Sequence, residues 1–191
     1  MNKIFKPLGA SNHVAEDRQE HDYYATDPRA VELLLGVEQF HRYIWEPACG
    51  EGHISKALEA AGHKVWSTDL IYRGYGEKYH LDFLAKEFPK FFGDIITNPP
   101  YTNALEFVEK AIETVEEGRK VAMFLKLLFL ESKGRKEFFK KHPPRTIYVF
   151  SSRIACAKNG DFEKYKNAAV CFAWFVWEKG YKGETVVKWI N

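Results

Sequence analysis

The chain has 191 residues, of which 46% are apolar and 16% aromatic, and its formal net charge is +2. That length and apolar content describe one packed domain with some decoration and exclude a disordered or low-complexity chain. So small a positive charge permits nucleic-acid binding without demanding it, and any such function has to show in local features.

Residues 1–22 are polar and mixed in charge without periodicity, which predicts a flexible N-terminal arm ahead of a single domain over 23–191. TDPRAVELLLG predicts a helix, with Thr26 or Asp27 as N-cap, Pro28 at the first helical position and Gly36 as its stop. RYIWEPACGEG is a short strand running into a glycine turn, and HISKALEAAGH is a helix with Ile54, Leu58 and Ala61 on one face. KVWSTDL predicts the next strand, a loop holding HLDFL follows, and DIITNPP is another strand. NALEFVEKAIETVEEG predicts a helix capped by Asn103 and closed by Gly118. KVAMFLKLLFL is a buried strand entering a loop, SKGRKEFFKKHPP a basic helix, and RTIYVFSSR, AAVCFAWFVWE and TVVKWI are late strands. Strands alternating with helices imply an α/β fold, a mostly parallel sheet with helices on both faces.

The three cysteines, Cys49, Cys156 and Cys171, are far apart and include no C-x-x-C pair, which points to a reducing cytoplasm and no metal site. No apolar run reaches the roughly 18 residues of a membrane span, and the start MNKIFKPLGASNH lacks a signal core, so neither a span nor a secretion signal is expected.

In an open α/β sheet the residues ending each strand face the ligand. EPACGEG places Gly50 and Gly52 where a strand turns into its helix, a position that lets backbone approach a ligand and favours a negative group at the helix N-terminus. Asp69 ends the following strand, where an acid suits a ribose diol. Ser55 stands where the third glycine of G-x-G-x-x-G belongs, which argues against a dinucleotide. A single nucleoside carrying a carboxylate fits better, and S-adenosylmethionine is such a molecule. In DIITNPPY the two prolines end sheet pairing, and each pushes the residue before it into an extended conformation, so Asn98 and Pro99 should carry carbonyls free of local hydrogen bonds.

Taken in order, EPACGEG, TDL, LDF and NPPY resemble the cofactor and catalytic motifs of S-adenosylmethionine-dependent N6-adenine DNA methyltransferases. DYYATDP is similar to the segment such enzymes place before the first strand, and the late FLKLLFLESKGR, PPRTIYVFSSRI and AWFVWEKGYKG resemble small phage and prophage members. By average residue usage, NPPY arises by chance in on the order of one in a thousand chains of this length. Glycine loop first and NPPY second matches one of the permuted classes of amino-methyltransferase. The resemblance implies a Rossmann-like class I methyltransferase fold with a seven-stranded sheet and a late antiparallel strand, without a large separate target-recognition domain.

It further implies that Glu46, Pro47, Ala48, Gly50 and Gly52 hold the cofactor, with Glu46 near its amino end. Asp69 and Leu70 would lie at the ribose, Asp82 at the adenine amine and Phe83 on the adenine ring, with Thr26 or Asp27 closing over the methionine part. Asn98, Pro99, Pro100 and Tyr101 would be the catalytic tetrapeptide, Asn98 also lying beside the cofactor. The Asn98 side-chain oxygen and the Pro99 carbonyl would accept the two hydrogens of a planar amino group and expose its lone pair, while Tyr101 stacks on the target base. A duplex substrate would need its base flipped out, and a single strand would not.

Lys133, Arg135 and Arg153, with the lysine-rich stretch AKNGDFEKYKN, are candidate phosphate contacts, although a charge run is as often a solvated face. Trp174, Phe175 and Trp177 are expected in the core, with one of them a candidate for the base pocket. The same tetrapeptide also serves methylation of adenine in RNA and of a protein glutamine amide. A non-catalytic binding protein is the remaining alternative, and both monomer and homodimer stay open.

Overall fold

The computed structural model describes residues 23–152, 154, 156, 157 and 170–191. The predicted arm at 1–22, Arg153 and residues 158–167 of the lysine-rich stretch lie outside these described residues.

The chain enters through a two-residue strand, β1 (Ala25–Thr26). Asp27 then caps α1 (Pro28–Leu35), its side chain accepting from the Arg29 amide at 2.9 Å, so Asp27 and not Thr26 is the N-cap. Pro28 sits where a missing N–H costs nothing. β2 (Tyr43–Glu46), α2 (His53–Ala60) and β3 (Lys64–Ser67) follow as the hydrophobic pattern predicts. Between β3 and β4 (Asp94–Thr97) the chain forms no strand, and its one ladder contact is a bridge from Phe91 to Val115. A single 3₁₀ turn at Tyr101–Asn103 leads into α3 (Ala104–Thr114). β5 (Lys120–Lys126), a 3₁₀ turn at Leu127–Leu130, α4 (Lys136–Lys141) and β6 (Thr146–Phe150) come next. β7 (Cys156–Ala157), β8 (Phe172–Glu178) and β9 (Val186–Ile190) complete the chain.

Seven strands form one sheet in the order β3-β2-β4-β5-β8-β6-β9. The pairs β3-β2, β2-β4, β4-β5 and β6-β9 are parallel, and β8 runs antiparallel to both its neighbours. The chain moves from β2 outward to β3 and then back across to β4, so a topological switch point lies between β2 and β4, where an open α/β sheet forms its binding crevice. Alternate residues of the strands feed two cores, as period-two side-chain alternation requires. Trp45, Ile95, Met123 and Phe175 pack with Phe107, Val108 and Ile112 of α3, whereas Ile44, Ile96, Ala122 and Trp174 pack with α1 and α2. Trp174, Phe175 and Trp177 are all core residues, with the Trp174 indole donating to the Ala30 carbonyl and the Trp177 indole to His142.

Two local expectations are corrected. Asn103 stands at the N-cap of α3 but makes no side-chain cap bond, its backbone amide closing the preceding turn on the Pro100 carbonyl. The helix ends at Thr114, four residues before Gly118, since Val115 is drawn into extended backbone and buried in the core beside the Phe91 bridge.

Candidate active site

A cavity of about 250 Å³ opens at the carboxyl ends of β2 and β4, at the switch point. Thr26, Glu46, Pro47, Ala48, Asp69 and Leu70 line it, together with Asp82, Phe83, Asn98, Pro99 and Pro100. Residues distant in sequence and expected to share one edge are therefore brought together. Asp27, Gly50, Gly52 and Tyr101 are not in the lining. Tyr23, Tyr24, Cys49, His53, Ile71 and Arg73 line it as well and were not foreseen.

The two glycines make room for two aromatic side chains. Gly50 and Gly52 adopt φ of +54° and +79°, and a Cβ on either would collide with an aromatic ring, Tyr23 at Gly50 and Tyr75 at Gly52. Tyr23 packs under the Arg73 guanidinium at 4.6 Å, and its hydroxyl accepts from the Glu51 amide at 3.3 Å. Tyr75 donates to Glu59 at 2.8 Å and lies under the Lys56 ammonium. The close approach that glycine allows is made by two tyrosines that brace the turn. Sequence spacing shows the glycines but not which side chains meet them.

Three acids surround the cavity in different states. Asp69 accepts from the Gly50 amide at 2.8 Å and the Ile71 amide at 2.9 Å, which ties the β2 and β3 loops together and leaves lone pairs for further donors. Asp82 accepts from the Leu84 and Ala85 amides through one oxygen. Glu46 is 1% exposed and takes a hydrogen bond from Ser55, whose hydroxyl lies 2.6 Å from that of Ser67. Burial raises the Glu46 carboxyl well above the usual carboxylate range despite that bond, and the charges of Asp69 and Glu59 add to the rise.

The folded chain holds a proton on Glu46 that the unfolded chain releases near pH 4.3, so this group subtracts stability as pH rises above that value toward its folded pKa. Glu46→Gln, which keeps the shape without the charge, is expected to raise the melting temperature of the cofactor-free protein more at pH 8 than at pH 5. Thermal melts of both proteins at the two pH values check this, and a gain at pH 8 no larger than that at pH 5 would reject it.

At the end of β4 the Asn98 side chain is oriented by its donors. Nδ2 donates to the Tyr24 carbonyl and to Thr26 Oγ1, each at 3.0 Å, with Cys156 Sγ at 3.6 Å. A carbonyl can only accept, so the amide nitrogen and not the oxygen must face it. The planar amide turns Oδ1 away from β1, and that oxygen is buried with no partner among the described residues. β1 reaches this place by antiparallel pairing with β7, Thr26 opposite Cys156.

Tyr101 is more enclosed than a free stacking platform. Its ring stacks on Tyr24 with centroids 5.7 Å apart, tilts against Phe172 at 6.0 Å and faces the Lys126 ammonium at 4.2 Å, while its hydroxyl donates to Cys156 Sγ at 3.2 Å.

Of the basic residues, Lys133 is exposed. Arg135 is not a free guanidinium: it donates to the carbonyls of Phe129 at 2.7 Å, Glu131 at 3.1 Å and Leu128 at 3.2 Å, and packs on the Phe129 ring. Its first task is to hold the turn after β5, which presents Leu128 and Leu130 to solvent. No helix among the described residues is long and apolar enough to cross a membrane. The described residues contain no group of three or more His, Cys, Asp or Glu placed to hold a metal.

No family model and no curated protein matches the sequence. Solved structures do. A candidate class I S-adenosylmethionine-dependent methyltransferase from Listeria monocytogenes superposes with a TM-score of 0.61 at 16% identity, over 90% of this chain and 67% of that one. An O-methyltransferase candidate from Agrobacterium tumefaciens gives 0.59 at 12% identity, over 85% of each chain. The modification subunit of a candidate type I restriction enzyme from Vibrio vulnificus gives 0.56 at 15% identity, over 87% of this chain, which spans 46% of that subunit. Likeness at such identities speaks for the architecture, and with the strand order described above it gives this chain the Rossmann-like fold of class I methyltransferases.

Proposed function

We propose that the chain is an S-adenosylmethionine-dependent N-methyltransferase acting on the exocyclic amino group of adenine in DNA. The observation that carries this is the Asn98 amide, fixed through its nitrogen so that a buried acceptor oxygen, unpartnered among the described residues, stands beside the cavity. No hydrogen bond among the described residues ends on the neighbouring Pro99 carbonyl. Two adjacent acceptors without donors suit an NH₂ group, and an unmet buried acceptor is costly unless a ligand meets it.

S-adenosylmethionine, when bound, supplies an electrophilic methyl group. The side chains present fit it: Glu46 offers a buried carboxylate that a cationic amine would hold ionised, and Asp69 has acceptor capacity left for two hydroxyls. Asp82, Phe83 and Leu70 offer an acceptor and apolar walls for a purine, and Thr26 stands at the same cavity. Asn98 Oδ1 and the Pro99 carbonyl accept the two hydrogens of the target amine. Held so, the nitrogen loses conjugation with its ring and its lone pair becomes available. No strong base is needed, because the nitrogen sheds a proton once it is cationic, and the chain contributes position and electrostatics. Tyr101 stacks on the base, which takes a place now held by Tyr24 or Lys126. DNA is favoured by the architecture shared with a restriction-enzyme modification subunit and by the exposed Lys133.

Incubation with tritiated S-adenosylmethionine and DNA, RNA or cell protein in parallel tests the assignment. Label is expected in DNA as N6-methyladenine. Label confined to RNA or to protein would overturn the DNA assignment, and none in any acceptor would overturn the activity. Asp69→Ala is expected to weaken cofactor binding by about tenfold or more, through lost acceptors and a loosened glycine turn. Calorimetry showing unchanged affinity would reject the ribose assignment.

A further inference from the structure

Cys156 touches both polar side chains of the NPPY motif, and nothing in a methyl transfer to an amine calls for a thiol. Its Sγ lies 3.2 Å from the Tyr101 hydroxyl, which donates to it, and 3.6 Å from Asn98 Nδ2. The residue is 7% exposed, and burial pushes its thiol up to about 11 even though Tyr101, Thr26 and Asn98 pull the other way. A thiol in that state is neutral at pH 7 and a poor nucleophile, which removes covalent chemistry as its purpose. What remains is its geometry as an acceptor.

We infer that Cys156 is a positioning residue for the methyl transfer, holding the Tyr101 ring in place beside the Asn98 amide. The two are separated only by Pro99 and Pro100, and the Asn98 amide has only two hydrogens for its three neighbours. Tyr24 and Thr26 satisfy these at 3.0 Å, so Cys156 adds little to the amide's orientation by itself. Its particular contribution is the bond from Tyr101. Through it one sulfur links the face that would stack a base to the amide that would accept the amine, and β7 ties both to β1 opposite Thr26. A sulfur reaches both at ordinary contact distance. A serine oxygen sits closer to its own Cα and is expected to keep one contact well and the other poorly. In this arrangement the connection between β6 and β8 contributes to the reacting end of the site.

This inference rests on the proposed transfer chemistry, so the test first identifies the acceptor that the unaltered protein labels and then measures kcat, KM and S-adenosylmethionine affinity for Cys156→Ala, Cys156→Ser, Tyr101→Phe and the double variant Cys156→Ala/Tyr101→Phe. Loss of register by a fraction of an ångström to one ångström costs up to about 10²-fold in rate. Cys156→Ala is expected to lower kcat by about 10- to 100-fold with cofactor affinity unchanged, and Cys156→Ser to recover part of that loss. Tyr101→Phe, which keeps the ring and removes the hydroxyl, is expected to lose rate as well, and the double variant to lose no more than the worse single one, since both remove one bond. Near-normal kcat in Cys156→Ala, additive losses in the double variant, or equal falls in kcat and cofactor affinity would each overturn the positioning role. A wild type that labels no acceptor overturns the transfer chemistry and this role with it.

Discussion

Asn98→Ala is expected to lower the rate of methyl transfer by about 10²–10³-fold, the usual cost of removing one preorganised polar group from a reacting centre. The alanine leaves the Pro99 carbonyl as a lone acceptor for an amine with two hydrogens, so the nitrogen stays conjugated with its ring. Affinity for S-adenosylmethionine is expected to change little, because Glu46, Asp69 and Asp82 stand in the cavity independently of Asn98. Asn98→Asp is a sharper companion. It keeps an acceptor at Oδ1 but sets an oxygen against the Tyr24 carbonyl and Thr26 Oγ1 in place of the donor now bonded to both at 3.0 Å. The substitution should therefore lose activity too, although an acceptor is retained. Single-turnover rates with saturating cofactor, alongside calorimetric binding, separate chemistry from affinity. Turnover near the wild-type value in Asn98→Ala would remove the amine clamp from the mechanism.

The largest effect on stability is expected at Glu38, far from that chemistry. Its carboxylate, 7% exposed, meets the Lys120 ammonium at 2.6 Å, the Arg145 guanidinium at 2.5 Å and the Tyr148 hydroxyl at 2.7 Å. It thereby ties the segment after α1 to β5 and β6, two strands separated in the sheet by β8. Glu38→Ala removes one acceptor from three donors at once, although Lys120 keeps the Gln39 carbonyl at 2.6 Å and Arg145 keeps Glu178 at 3.4 Å. With both cations partly exposed the cost is about 1.5–3 kcal/mol, and for a chain of this size each kcal/mol lowers the melting temperature by about 2–4 °C. Glu38→Ala should therefore melt well below the wild type.

The pH dependence of that contribution has a definite direction. Burial raises the Glu38 carboxyl, but the bonds from Lys120 and Tyr148 and the nearby charges of Lys120 and Arg145 outweigh it and leave it below the usual range. A lowered folded pKa means that the contribution is complete above the unfolded value near 4.3 and is lost as pH falls through the folded value. The gap between wild type and Glu38→Gln should accordingly narrow in acid below about pH 4. A gap constant from pH 7 to pH 3, measured by denaturant titration, would reject the ionic account. Glu46 behaves oppositely, since its raised pKa subtracts stability toward neutral pH.

The amino-acid sequence by itself determined the order of strands and helices, the break after β4 and the residue types at the strand ends. Each of these is set over a few neighbouring positions: Asp27 and Pro28 start a helix, a period of two makes β2 and β4 two-sided, and two consecutive prolines cannot continue a ladder. That the residues ending these strands would share one ligand-facing edge followed as well, whereas the order β3-β2-β4 that makes this edge a switch point did not.

The tertiary structure alone decided what each of those residues touches. Gly50 and Gly52 face Tyr23 and Tyr75, Arg135 is bound to a turn, and Tyr101 is enclosed by Tyr24, Phe172 and Lys126. The bonds that orient Asn98 span 74, 72 and 58 residues of chain. They depend on β1 pairing with β7, two strands of two residues each whose local sequence carries no periodic signal. Hydrophobic spacing and turn chemistry act over a few residues, whereas such contacts exist only once the sheet has brought both ends of the chain to the same edge.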